Sequence, residues 1–239
     1  INSTGALVIP AIYEDAGKFS FGLAAVSKKV TADNETSVKY GYIDKTGKQF
    51  LPFKFDEAGE FRNTGPDIYE AIATRGFVPM MIDKSGNEAT SFTGMTDKMI
   101  VTSLRWLDEG ADKVLVGIND FYVHKFGVYS SFATVFTVKP EYSEIQLTTE
   151  PNTGKEFYLV KKEFSGMGLV ERFGDMIPAV YDYIQFNDTL VYAIDKIKVE
   201  NDQIAGGAFS LYDLNLNRIT KKEYDQITGF FEGLAKVKS

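Results

Sequence analysis

The chain of 239 residues lacks cysteine, carries a single histidine and a single tryptophan, and holds only seven prolines. No cysteine means no disulfide, no thiolate metal site and no cysteine nucleophile, and it leaves the redox compartment undecided. One histidine, His124, excludes zinc centres built on paired histidines. As a general base it would need an oriented carboxylate. Asp120 stands four residues earlier on a candidate strand, on the same face but over about 10 Å away along the backbone. His124 therefore reads as a partly exposed strand residue. No apolar run approaches the roughly 18 residues of a membrane helix, and the opening residues lack the pattern of a signal peptide. A leader removed before residue 1 is compatible with that.

Positive charge is also short. Twenty-six Lys and Arg against 33 Asp and Glu give a net charge of −7, a field that repels phosphate backbones, so nucleic acid is not an expected partner. The basic pairs Lys28-Lys29, Lys161-Lys162 and Lys221-Lys222 read as solvated faces. What the chain has in quantity is aromatic residues, 19 Phe and 13 Tyr. With abundant Val, Ile and Thr these favour pleated, half-buried surfaces and predict an all-β fold.

Laid on itself, the chain repeats. A shift of 42 residues superposes Ile1 on Ile43, Gly5 on Gly47, Pro10 on Pro52, Tyr13 on Phe55 and Phe19 on Phe61. A shift of 211 superposes Tyr13 on Tyr224, Gly22 on Gly233, Leu23 on Leu234 and Val26 on Val237. Taking Ile1, Ile43, Ile82, Tyr129, Val170 and Tyr212 as equivalent divides a single repeat domain, 1–239, into six units. They span approximately 1–42, 43–81, 82–128, 129–169, 170–211 and 212–239. Two tetrapeptides carry turn chemistry: Asp44-Lys45-Thr46-Gly47 and Asp83-Lys84-Ser85-Gly86 place Asp first and Gly fourth, as a type I turn prefers, and each reads as a hairpin tip. Strands are expected on both sides, with Pro10, Pro52 and Pro178 ending the second strand and an aromatic three residues later turning inward. A further strand is expected at Gly22 to Val26, and Lys28 to Lys39 reads as a polar loop. Three or four short strands cannot bury both faces alone, so the core must run between units.

Tyr40-Gly41-Tyr42-Ile43-Asp44-Lys45-Thr46-Gly47-Lys48, then Pro52, Phe55-Asp56-Glu57-Ala58 and Phe61, resembles the bacterial WG-containing repeat, also called KWG. The terminal copies supply the closing segments Gly22-Leu23-Ala24-Ala25-Val26 and Gly233-Leu234-Ala235-Lys236-Val237. The resemblance is strong over residues 1–61 and 208–239 and faint between. Tyr40, Phe126 and Phe209 stand where the namesake tryptophan would be, Ser210 replaces the following glycine, and the third copy loses register over residues 87–124. The resemblance implies a β-repeat without an established general activity, in bacterial proteins of the envelope or of interaction systems. The expected fold is a tandem antiparallel β-repeat in an open, twisted, solenoid-like array, with a six-bladed propeller as the alternative. Because the terminal units are cut in mid-motif, the chain reads as part of a longer one.

No constellation in the sequence organises a reaction centre. Asp213, Asn215 and Asn217 alternate like a calcium loop, but Arg218 and Tyr224 stand where Gly and Glu are needed, so a hairpin tip is the better reading. Trp106 is read as packed, with Arg105 and Asp108 on its wet side. The functional expectation is a non-enzymatic module for interaction with a protein or an envelope polymer, without a cofactor or metal and with no catalytic residue assigned. Localisation in the envelope or outside the cell accompanies it. Carbohydrate binding or glycoside hydrolysis is the alternative, resting on 14% aromatic content and 33 carboxylates.

Overall fold

The computed structural model describes residues 3–107, 112–120, 123–171, 176–187, 189–200, 202–227 and 234–238. Among the described residues the fold is an all-β tandem repeat of small antiparallel sheets, none closed into a barrel. The chain divides into two compact units, residues 1–124 with 128–136, and 125–127 with 137–239.

In the first unit, one sheet runs Asp15–Ala16, Leu23–Ala32, Glu35–Asp44 and Gln49–Phe55 in sequence order. A second contains Glu57–Ala58, Ile68–Arg75, Val78–Asp83 and Glu88–Ala89, with Arg62–Gly65 also pairing onto Ile68–Arg75. A third runs Met99–Trp106, Lys113–Asp120, Val123–Ser130 and Val135–Tyr142, and the division between the units falls in its last hairpin. The second unit adds a sheet of Glu144–Thr149, Glu156–Lys162, Gly166–Val170 and Met176–Tyr181. It also holds a sheet of Tyr183–Asn187, Leu190–Glu200 and Gln203–Asp213, and the small pair Gln226–Ile227 with Val237–Lys238.

At three junctions one residue separates a sheet from its successor: Asp56, Ser143 and Asp182 stand alone between consecutive strands. The backbone N–H of Asp56 crosses to Thr74 O at 2.8 Å, and that of Ser143 to Lys161 O at 2.8 Å, so the break residue already pairs into the next sheet. Immediately before the break sits an inward aromatic, expected at Phe55 and Tyr181 and found also at Tyr142, and all three are buried. The core forms between neighbouring sheets, as the repeat requires. Tyr42, Leu51 and Phe55 of the first sheet pack against Phe61, Ala71 and Ile82 of the second, while Met81, on the opposite face of that second sheet, packs with Val101, Val114 and Ile118 of the third. In the second unit, Phe157, Leu169 and Ile177 likewise meet Ile184, Val191 and Tyr212.

The tips behave as their chemistry demands. Gly47 N–H donates to Asp44 O at 2.9 Å and Gly86 N–H to Asp83 O at 3.0 Å, each glycine having φ +83°. Asp213 heads the same turn, with Leu216 N–H on Asp213 O at 3.0 Å and Leu216 at φ +61° in the glycine position. Thr134, eight residues before Tyr142 just as Gly47 precedes Phe55, takes φ +54°. Equivalence by turn therefore pairs Ile43 with Ser130, one residue past the Tyr129 expected from sequence.

Two local expectations are overturned. Pro52 and Pro178 do not end their strands; they lie within Gln49–Phe55 and Met176–Tyr181. Tyr40 pairs with Phe55 and Tyr42 with Leu51, so Gly41 alone faces Pro52, Phe53 and Lys54 in a bulge. Met167 pairs with Tyr181 and Leu169 with Ile177, which sets Gly168 against Pro178, Ala179 and Val180. Both strands are the last of their sheets, so a missing proline N–H costs no ladder bond. The bulge also explains the namesake glycine, because a Cβ at Gly168 would stand 2.6 Å from Ile177 O and 2.7 Å from Ala179 N. The second correction is Lys28 to Lys39, which is not a loop but a hairpin, Leu23–Ala32 with Glu35–Asp44, closed by Asp33-Asn34. β-Branched residues on both arms pair across it through Thr31↔Thr36, Val30↔Ser37 and Lys29↔Val38, and strand pairing outweighs the polar composition.

Candidate functional site

The carboxylates that sequence could not place are held by the fold. Asp44 Oδ1 accepts Thr46 N–H at 2.8 Å and Lys48 N–H at 3.1 Å, and the Thr46 hydroxyl with these donors holds its carboxyl below the ordinary value. Asp213 Oδ1 accepts Asn215 N–H at 2.9 Å and Asn217 N–H at 2.8 Å. Burial pushes that carboxyl upward, but the bonds from Asn217 and Asn215 outweigh it and leave it lowered. The Asp213, Asn215, Asn217 series is thus a hairpin tip. Asp56 is bonded to the Lys39 ammonium, which lowers it, and its Oδ2 accepts Gly76 N–H at 2.6 Å. Glu88 takes Lys54 at 2.6 Å and both arms of Arg75, at 3.1 and 2.7 Å, and Lys54 is the chief cause of its lowered pKa. His124 is exposed on Val123–Ser130. Asp108 lies outside the described residues.

Trp106 ends the edge strand Met99–Trp106 and packs against the core of the third sheet, with the Arg62 guanidinium 5.5 Å from its ring centroid. A cleft of about 440 Å³ opens beside it, within the range of small-ligand sites. Its walls include Glu57, Glu60, Arg62 and Arg105. Glu60 is held by Lys18 at 3.1 Å and Arg62 at 3.9 Å. The stacked guanidinium makes Trp106 a packed residue on that face, and the cleft presents charges of both signs.

The most exposed apolar groups lie elsewhere. Phe77 and Phe164 are each 100% exposed, and each occupies a hairpin tip between paired strands. Ile68–Arg75 and Val78–Asp83 are joined by Gly76-Phe77, with φ +57° and +65°; Glu156–Lys162 and Gly166–Val170 are joined by a tip in which Phe164 has φ +60°. The equivalent tip of the first sheet is Asp33-Asn34, with φ +51° and +65°. Both tips are braced. Gly76 N–H is fixed by Asp56, while Ser165 Oγ donates to Ala179 O at 2.7 Å. Phe121-Tyr122, which fall outside the described residues, occupy the same place in the sequence between Lys113–Asp120 and Val123–Ser130. Sequence reasoning missed these rings. The signal was present in an aromatic residue recurring between strand-like runs at positions 77, 121–122 and 164.

The family model of the WG-containing repeat matches residues 1–29, 40–65 and 211–239. Over these three segments the chain is similar to the WG-containing repeat. The second match contains Tyr40-Gly41, the Asp44 tip, the Pro52 bulge and the Asp56 break; the third contains the Asp213 tip and Tyr224. The residues between them share the geometry of the matched segments in Gly127 and Gly168, in Thr134, and in the breaks at Ser143 and Asp182. No curated protein matches the sequence.

Proposed function

We propose that this chain is a non-enzymatic interaction module that grips a protein partner with aromatic rings held at hairpin tips. The observation that carries the reading is the placement of Phe77 and Phe164, fully exposed and at positive φ. An exposed ring contributes no burial to folding. An ordinary side chain in the left-handed region costs roughly 1–2 kcal/mol, which Gly or Asn avoids. Neither packing nor turn chemistry accounts for phenylalanine there, whereas interface anchors are typically aromatic residues that fill a pocket on the partner. The bracing by Asp56 and Ser165 fixes the tips before binding and lowers the entropy lost on association. The commitment of Asp44, Asp56, Glu88 and Asp213 to turns and ion pairs supports a role without catalysis.

The test is affinity capture from the source cell with the full chain and with the Phe77→Asn, Phe164→Asn double variant, quantified protein by protein. A partner retained by the parent and reduced about tenfold or more by the variant supports the reading. Equal capture by both contradicts it.

A further inference from the structure

The sheet Tyr183–Asn187, Leu190–Glu200 and Gln203–Asp213 carries a cleft of about 430 Å³ that none of the features above uses. Its wall is set by strand alternation. Tyr183, Gln185 and Asn187 share one face of their strand at a spacing of about 6.6 Å, while Ile184 and Phe186 on the other face pack into the unit's core. Tyr183 is 39% exposed, and Gln185 and Asn187 are half-buried. Register puts Ile194 opposite Tyr183 and Tyr192 opposite Gln185, with Phe209 opposite Ile194 on the third strand, so the floor beside this polar wall is apolar. Gln203 completes the rim, next to Asp202 at φ +61° in its hairpin tip.

We infer that this cleft binds a neutral saccharide. Three amide side chains, each donor and acceptor at once, match the paired hydroxyls of a sugar ring. The exposed Tyr183 ring and the half-buried Ile204 and Ile227 match its apolar face. Asp202 is the one charged residue among the described residues that line the cleft, which disfavours a strongly ionic ligand. The inference is independent of the proposed protein contacts, and the Phe77→Asn, Phe164→Asn variant should bind sugar unchanged.

The experiment is isothermal titration of the full chain with cellotetraose, chitotetraose and maltotetraose, and with a galacturonic acid tetramer as the acidic counterpart. At least one neutral tetramer should bind with a dissociation constant of about 1 mM or tighter. Tyr183→Ala and Gln185→Leu should each weaken that binding about tenfold. Tyr183→Phe and Asp202→Asn should leave it within about twofold. Melting curves of each variant establish that it is folded, and the exposed position of Tyr183 makes its replacement tolerable to the fold. No heat from any neutral tetramer up to about 10 mM overturns the inference. So does binding that Tyr183→Ala and Gln185→Leu leave intact, or binding confined to the acidic tetramer.

Discussion

The namesake glycine offers the sharpest test of the repeat geometry, through Gly168→Ala. An added Cβ there would stand 2.6 Å from Ile177 O, 2.7 Å from Ala179 N and 2.8 Å from Ala179 Cα, all backbone atoms that cannot rotate away. Overpacking of this kind costs about 1–3 kcal/mol, and the backbone-entropy advantage of Ala over Gly returns about 0.5–1 kcal/mol of it. With all three contacts under 3.0 Å and to backbone the cost lies in the upper part of that range, about 2–3 kcal/mol, and the net loss of about 1–2.5 kcal/mol corresponds to a melting temperature lower by about 2–10 °C for a chain of this size. Gly127→Ala, with backbone contacts at 2.9, 2.9 and 3.0 Å, should fall less. Gly41→Ala should fall less still, because one of its three contacts, at 3.0 Å, is the Phe53 ring. Gly17→Ala is the control, since its one contact is Ala25 O at 3.3 Å. Differential scanning calorimetry reads all four. A Gly168→Ala protein as stable as the parent would refute the claim that the proline bulge demands this glycine.

At the tips the sign reverses with the residue replaced: Gly47→Ala should cost about 1 kcal/mol at φ +83°, whereas Thr134→Gly should gain about 0.5–1 kcal/mol by relieving φ +54°, both read by thermal melts. Asp56 and Glu88 lie below the ordinary values of 3.8 and 4.5 through Lys39 and Lys54. Their folded forms bind fewer protons than the unfolded chain, so this stability is present above about pH 5 and is lost as pH falls through and below that range. Melts from neutral pH downward check it. At alkaline pH the order inverts, because burial pushes Tyr142 from 10.0 up to about 12; its contribution is present below 10 and fades as pH rises toward 12. Deleting residues 214–239 should leave a folded, cooperatively melting remainder if the repeats form an open array, and loss of all cooperative unfolding would favour a closed ring.

The repeat was legible because its turns and core aromatics are local chemistry: Asp44 with Gly47, Asp83 with Gly86, and Phe55 or Tyr181 before the break each announce themselves within a few residues. The bulge at Pro52 was not, since a proline ending a strand and one bulging from an edge strand read alike until the facing Gly41 is known. Lys28 to Lys39 was misread because polar Thr and Ser suit a two-sided exposed hairpin as well as a loop. Thr134 hid its turn by occupying a glycine position, and the strain it carries appears only in φ. Of the candidate sites, Trp106 was read correctly as packed. The cleft under Tyr183 escaped notice because Tyr-x-Gln-x-Asn has no signature until strand register sets it opposite Tyr192 and Ile194.

The proposal that Phe77 and Phe164 serve binding and not folding is tested most directly by the thermal melt of the Phe77→Asn, Phe164→Asn double variant. Asparagine suits φ +65° and +60°, and fully exposed rings take no packing with them when removed. The account predicts a melting temperature equal to the parent's or about 1–4 °C higher. A fall of more than about 4 °C would show that the rings stabilise the fold itself and would contradict the account.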